Sequence, residues 1–175
     1  MEIDSIFEKK LFAFRYKNEK QNELRRLLNL WNDVSYLYEF IKENIADKPK
    51  NISIEKLITQ ISDDANEIDD VLYELTTSKV KNLDSFFKPL DNNEYRLDVR
   101  LSKQKGRNNY LRIYAIKLAS NCYLITGGAI KFTLKMQGRA HTEKELTKIE
   151  QCKNYLKDNG VIDYESFFEL LTEIK

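Results

Sequence analysis

From Val99 to Thr142 the chain runs 44 residues without an Asp or Glu, and its hydrophobic period there is two. "YLRIYAIKL" (Tyr110–Leu118) sends Leu111, Ile113 and Ala115 to one side and Arg112 and Tyr114 to the other. Such alternation belongs to a strand and not to a helix. "ASN" is a tight connection, and Cys122–Thr126 completes an antiparallel hairpin. Gly127-Gly128 allow a bend or bulge before "AIKFT" resumes an extended run. Upstream, Tyr95–Ser102 also alternates, and "KQKGRNN" after it reads as a turn or flexible loop.

The flanks have helical spacing. A first strand, Lys9–Tyr16, precedes Leu24, Leu27, Leu28 and Trp31 at helical intervals. Asn32-Asp33 caps a second helix with Val34, Leu37, Phe40 and Ile41, and Pro49 marks a loop. Ser53 caps a long helix with an apolar stripe from Ile54 to Leu75 and a solvated acidic face including Asp63, Asp64 and Glu67. Thr142–Glu145 reads as a capping box for a helix with Leu146, Ile149, Tyr155 and Leu156, closed at Asn159-Gly160. Asp163 caps a last helix with Phe167, Phe168, Leu171 and Ile174. The expectation is one α+β domain over 1–175: first strand 9–16, helical segment 22–78, basic antiparallel sheet 95–133 and C-terminal helices 142–174. The sheet is expected to be small and antiparallel, with three to five strands.

Charge is segregated. The chain has 29 bases against 28 acids, but nine bases lie in the acid-free block, leaving 20 bases against 28 acids elsewhere. Arg112 and Tyr114 on one strand face suit a phosphate or a stacked base. Lys131, Lys135, Arg139 and His141, the only histidine, lead into a helix N-terminus, where N–H groups attract an anion. Lys103, Lys105 and Arg107 add positive charge beside the central strand. These side chains can stabilise charge building on phosphorus while a 2′-hydroxyl attacks from within the RNA, with His141 free to move a proton. No metal or other cofactor is expected. A second reading stays open: Lys guards exposed strand edges, Arg112 pairs with an acid from a helix, and His141 is an ordinary surface residue. Cys122 and Cys152 read as reduced core thiols. The acidic start "MEIDSIFEKK" lacks signal-peptide character, and no apolar run could span a bilayer, so a cytoplasmic address without membrane partners is expected.

The stretch Leu111–Leu156 resembles the C-terminal half of phage-derived HigB-like toxins of the RelE superfamily. The resemblance rests on Arg112–Tyr114, Tyr123–Thr126, Gly127-Gly128, Lys131–Thr133 and the Glu- and Leu-containing segment Thr142–Leu156. It implies a RelE-like core, here with an N-terminal helical elaboration, and ribosome-dependent mRNA endoribonuclease activity within a toxin–antitoxin pair. It also implies an antitoxin protein partner. On the charge pattern described above, Arg112, Lys131, Arg139 and His141 are the candidate catalytic residues. Lys103, Lys105, Arg107, Tyr114 and Lys135 are the candidate RNA-binding ones. The alternative is a non-catalytic interaction protein whose basic sheet holds an acidic protein or a nucleic acid.

Overall fold

Short polar side chains start the helices of the first half. Asn22 accepts the Arg25 N–H at 3.1 Å, Asp33 that of Tyr36 at 3.0 Å, and Ser53 that of Lys56 at 3.2 Å. They open α1 (Glu23–Trp31), α2 (Val34–Glu43) and α3 (Ile54–Thr77). The computed structural model describes residues 1–90, 101–133 and 140–173. Within these, the strands are β1 (Glu2–Phe7), β2 (Leu11–Arg15), β3 (Lys88–Pro89), β4 (Ser102–Asn108), β5 (Leu111–Ala119) and β6 (Cys122–Ile130). Two further helices, α4 (Ala140–Asp158) and α5 (Tyr164–Glu173), complete the α+β fold.

The sheet has six strands in the order β1-β2-β6-β5-β4-β3. It is mixed, and larger than the antiparallel sheet of three to five strands expected. The N-terminal segment is a hairpin, with Lys9 at φ 63° in its turn; three helices then carry the chain to β3 at the far edge, and the antiparallel run β3-β4-β5-β6 comes back to set β6 parallel to β2. β4 is a second difference. "KQKGRNN" is strand through Asn108, and it reads as a loop because the inward positions are filled by Ser102, Gln104 and Gly106, which carry no hydrophobic alternation. A Cβ on Gly106 would lie 1.9 Å from the Phe86 ring, so glycine admits that ring against β4. The expected strand Tyr95–Ser102 begins outside the described residues.

Helices cover both sheet faces. On one, α1, α2 and α3 bury Leu27, Trp31, Leu37, Ile61 and Leu72 against Leu11, Leu111, Ile113 and Ile125. On the other, α4 and α5 bury Ile149, Leu156 and Phe167 against Phe12, Phe14, Tyr114, Ile116 and Leu124. Every residue of β6 is buried, as expected for a strand covered on both sides. Cys122 and Cys152 are buried free thiols in the second core. Gly160, at φ 77°, ends α4 with the Val161 N–H donating to the Leu156 carbonyl at 2.9 Å.

The tightest packing lies on β6. Tyr114 pairs with Gly127 and Ala115 with Ile125, so Thr126 is the extra residue of a bulge where β2 stops pairing. A Cβ on Gly128 would lie 2.6 Å from the Arg112 carbonyl and 2.8 Å from Leu27 Cδ1; one on Gly127 would lie 2.0 Å from Glu145 Oε2. Gly128→Ala should therefore destabilise by about 1–3 kcal/mol in a denaturant titration, because backbone must move. Gly127→Ala should cost less, since a carboxylate can swing aside. Equal stability of Gly128→Ala and the parent would contradict this packing.

Candidate nucleic-acid interface

The strand register sorts the bases of the acid-free block. Lys103 lies opposite Ile116, Lys105 opposite Tyr114 and Arg107 opposite Arg112, which places all of them on the face carrying α4 and α5. The Arg112 guanidinium folds back and donates to the carbonyls of Asn109 at 2.6 Å and Leu111 at 2.8 Å. Burial, and then the adjacent Arg107, lowers its pKa. Lys131 follows β6, and its N–H donates to the Tyr110 carbonyl at 2.7 Å. Lys131 is half-buried, and burial lowers its pKa, with Arg112, Lys105 and Arg107 adding repulsion. Lys105, Arg107, Arg112 and Lys131 therefore form one cationic cluster. Among the described residues no carboxylate forms an ion pair with Lys105, Arg107 or Arg112.

Other bases of the block are neutralised locally. Lys103 meets Glu150 of α4 at 3.5 Å, and Lys117, on the opposite face, meets Asp84 at 3.0 Å. Tyr114, expected to contact RNA, is 1% exposed within the second core and offers no face to a base. His141 stands in the first turn of α4, edge-on to Phe40 of α2 at 5.3 Å between ring centroids. Lys135 and Arg139 lie outside the described residues.

The β4–β5 turn that presents Arg107 and Arg112 is fastened to α3. Asn109, at φ 44°, donates from Nδ2 to Asp64 Oδ1 at 2.7 Å. Asn108 donates to the Asp64 carbonyl at 3.1 Å and to Glu67 Oε2 at 3.0 Å. Asp64 is therefore not on the solvated face of α3. It is 6% exposed, and its Oδ2 has no hydrogen-bond partner. Burial raises its pKa, and the nearby Glu67 and Asp63 charges act in the same direction, against the Asn109 hydrogen bond.

A second polar group, absent from the sequence-derived candidates, joins α1 to α4. The Glu23 carboxylate receives Arg26 at 2.7 and 2.9 Å and Lys148 Nζ at 2.6 Å. Burial pushes Glu23 up, but Arg26 and Lys148 outweigh it and hold its pKa below the ordinary value. Lys148 also lies 4.6 Å from the Tyr16 ring centroid, and the Tyr16 hydroxyl donates to the Thr126 carbonyl at 2.6 Å. Glu145 was expected to cap its own helix. Because α4 already includes Ala140, Glu145 sits a turn inside it, where its carboxylate lies against Gly127 with Lys148 Nζ 3.6 Å away, and its buried Oε2 has no hydrogen-bond partner among the described residues. Burial raises its pKa despite Lys148. The helical spacing of His141, Glu145, Lys148 and Cys152, one stripe of α4, was the available signal for this inward face.

A groove of about 630 Å³ separates the β1–β2 hairpin from α5. Its Arg15 is already paired with Glu2 and Asp4, and its remaining charges, Glu8 and Lys9, are of opposite sign, so it gathers no excess of positive charge. Among the described residues no group of His, Cys, Asp or Glu is arranged as metal ligands, and no helix is long and apolar enough to cross a membrane. No family model matches the sequence, and no curated protein or solved structure is detectably similar to it.

Two stability measurements follow from the buried charges. Lys148→Met removes one of two cations from a buried carboxylate and should cost about 3–5 kcal/mol at pH 7. Glu23 has a depressed folded pKa, so its stabilisation is present above its unfolded pKa and is lost as pH falls through the folded one. The difference between parent and variant should shrink in that acid range; a constant difference would contradict the pairing. For Asp64 the sign is opposite: its folded pKa is raised, so the ionised form is a penalty that disappears on acidification. Asp64→Asn keeps an acceptor for Asn109 and should gain on the order of 1 kcal/mol at pH 7. That gain should vanish at low pH, as read from paired denaturant melts.

Proposed function

We propose that this protein binds RNA through the cationic end of its sheet and acts as a toxin-like endoribonuclease of the RelE and HigB type. In this reading it cleaves messenger RNA on the ribosome, and a partner antitoxin restrains it. The observation that carries the reading is the convergence of Lys105, Arg107, Arg112 and Lys131 at the β4–β5 turn and the end of β6. Concentrating positive charge with no carboxylate partner to Lys105, Arg107 or Arg112 among the described residues is costly unless an anion offsets it, and a polyphosphate backbone supplies one.

The chemistry suited to these residues uses the RNA's own 2′-hydroxyl. Its oxygen attacks the adjacent phosphorus, the bond to the 5′-oxygen breaks, and a 2′,3′-cyclic phosphate forms. The 2′-hydroxyl proton passes to a base and the departing oxygen takes up a proton. Arg112 and Lys131 would stabilise the charge on the phosphoryl oxygens. His141 and Arg139 remain the sequence-derived candidates for proton transfer and further charge stabilisation. A non-catalytic variant of the reading, RNA or acidic-protein binding alone, draws support from the burial of Tyr114 and the packing of His141 on Phe40.

The test is binding of a single-stranded oligoribonucleotide across a salt series, followed by single-turnover cleavage of a ribosome-bound message. Engaging four phosphates gives a log–log slope of about −3, at roughly −0.7 per contact. Arg112→Ala should flatten that slope by about 0.7 and slow cleavage about a hundredfold or more. Binding that is insensitive to salt would remove the RNA reading. Salt-sensitive binding without cleavage by the parent would leave only the binding variant.

A further inference from the structure

Resting on the RNA reading, we infer that Tyr110, Phe132 and Phe40 form a base-stacking path beside the cations, which makes unpaired, single-stranded RNA the ligand. Tyr110 stands in the β4–β5 turn between Arg107 and Arg112, and Phe132 directly follows Lys131. The 2.7 Å hydrogen bond from the Lys131 N–H to the Tyr110 carbonyl locks the two segments together. Tyr110 and Phe132 thus neighbour the cations along the chain at the end of the sheet. Their rings lean on the first core and the cations lie on the face of the second, so that a bound strand would cross the end of the sheet between them.

The rings form a connected line. Tyr110 and Phe132 have centroids 5.4 Å apart, Phe132 and Phe40 5.9 Å, and Phe40 and His141 5.3 Å. All of them are half-buried, in contrast to Trp31, Tyr114 and Tyr123, which are closed within the two cores. Phe40, Tyr110 and Phe132 rest against the first core, which holds their orientation while part of each ring remains in contact with solvent. A line of supported aromatic rings that starts within a cationic turn matches a nucleotide chain in both its parts. Phosphates meet Lys105, Arg107, Arg112 and Lys131, and bases meet the rings. A duplex hides the faces of its bases and gains only the charge contacts. An acidic peptide would satisfy the cations but has no array of flat π-faces.

The experiment compares three ligands of equal length: a single-stranded oligoribonucleotide carrying 2-aminopurine, its abasic counterpart and a duplex. For the parent, the single strand should bind most tightly and its 2-aminopurine fluorescence should be quenched on stacking. Phe132→Leu should weaken that binding by about 5- to 150-fold, the range of one base–aromatic stack, and relieve the quenching. It should leave the abasic affinity and the salt slope unchanged. Tyr110→Leu serves as an independent second variant, with a cooperative thermal melt required of each. Equal parent affinity for abasic and base-bearing strands overturns the stacking path while the phosphate interface stands, and does so whether or not the variants fold. Unchanged quenching in both folded variants overturns it as well. Failure of the parent to bind any of the three ligands overturns the RNA reading and this inference with it.

Discussion

Two helices press on the same pair of glycines in the middle of the sheet. Leu27 and Trp31 of α1 approach Gly128 from one face, while Glu145 and Lys148 of α4 approach Gly127 from the other. β2 leaves its pairing with β6 after Ile125, so the edge of β6 beyond that point is open to a helix. Glu145 lies against Gly127 beside Lys148, and the Glu23–Lys148 pair then ties α4 to α1. A central strand with side chains at these positions could not be approached so closely from both faces. The position of α4, and with it the uncovered extent of the β4–β5 face, depends on this contact.

That arrangement explains much of the charge segregation without reference to a ligand. Strands buried on both faces exclude charge, and side chains at their margins favour Lys and Arg, whose long apolar stems lie along the protein while their heads reach water. Carboxylates from distant segments then neutralise part of what is left, as Glu150 does for Lys103 and Asp84 for Lys117. Among the described residues that compensation does not extend to Lys105, Arg107 and Arg112. The structure also anchors their turn to α3 through Asn108, Asn109 and the buried Asp64, at an electrostatic cost to that carboxylate. A turn fixed so firmly presents its cations with little conformational entropy to lose on binding.

The helical half of this fold was legible because Asn22, Asp33 and Ser53 are strong local signals followed by clean apolar stripes. The strand alternation at Tyr110–Leu118 was legible for the same reason. β4 was not, since Ser102, Gln104 and Gly106 fill its inward positions and read as loop residues. β1 was missed because Glu2 and Asp4 sit in a short edge strand where their pairing with Arg15 is a tertiary fact. At the site, the sequence placed the positive charge correctly in the strand block but could not tell cations paired across the fold from those left over. It assigned Tyr114 to the ligand from alternation alone, which identifies a face of the sheet but not whether a helix covers it. Glu145 illustrates the same limit: the capping pattern was local, whereas the space its carboxylate fills, against Gly127, is provided by another element.

The central claim is that nucleic acid meets this protein at the β4–β5 turn and the end of β6. Amide hydrogen exchange with and without a saturating single-stranded oligoribonucleotide at low salt tests it directly. The account predicts added protection within residues 105–112 and 131–133, with the β1–β2 hairpin and α5 unchanged. Protection confined to the hairpin and α5, or no protection anywhere at saturation, would contradict it.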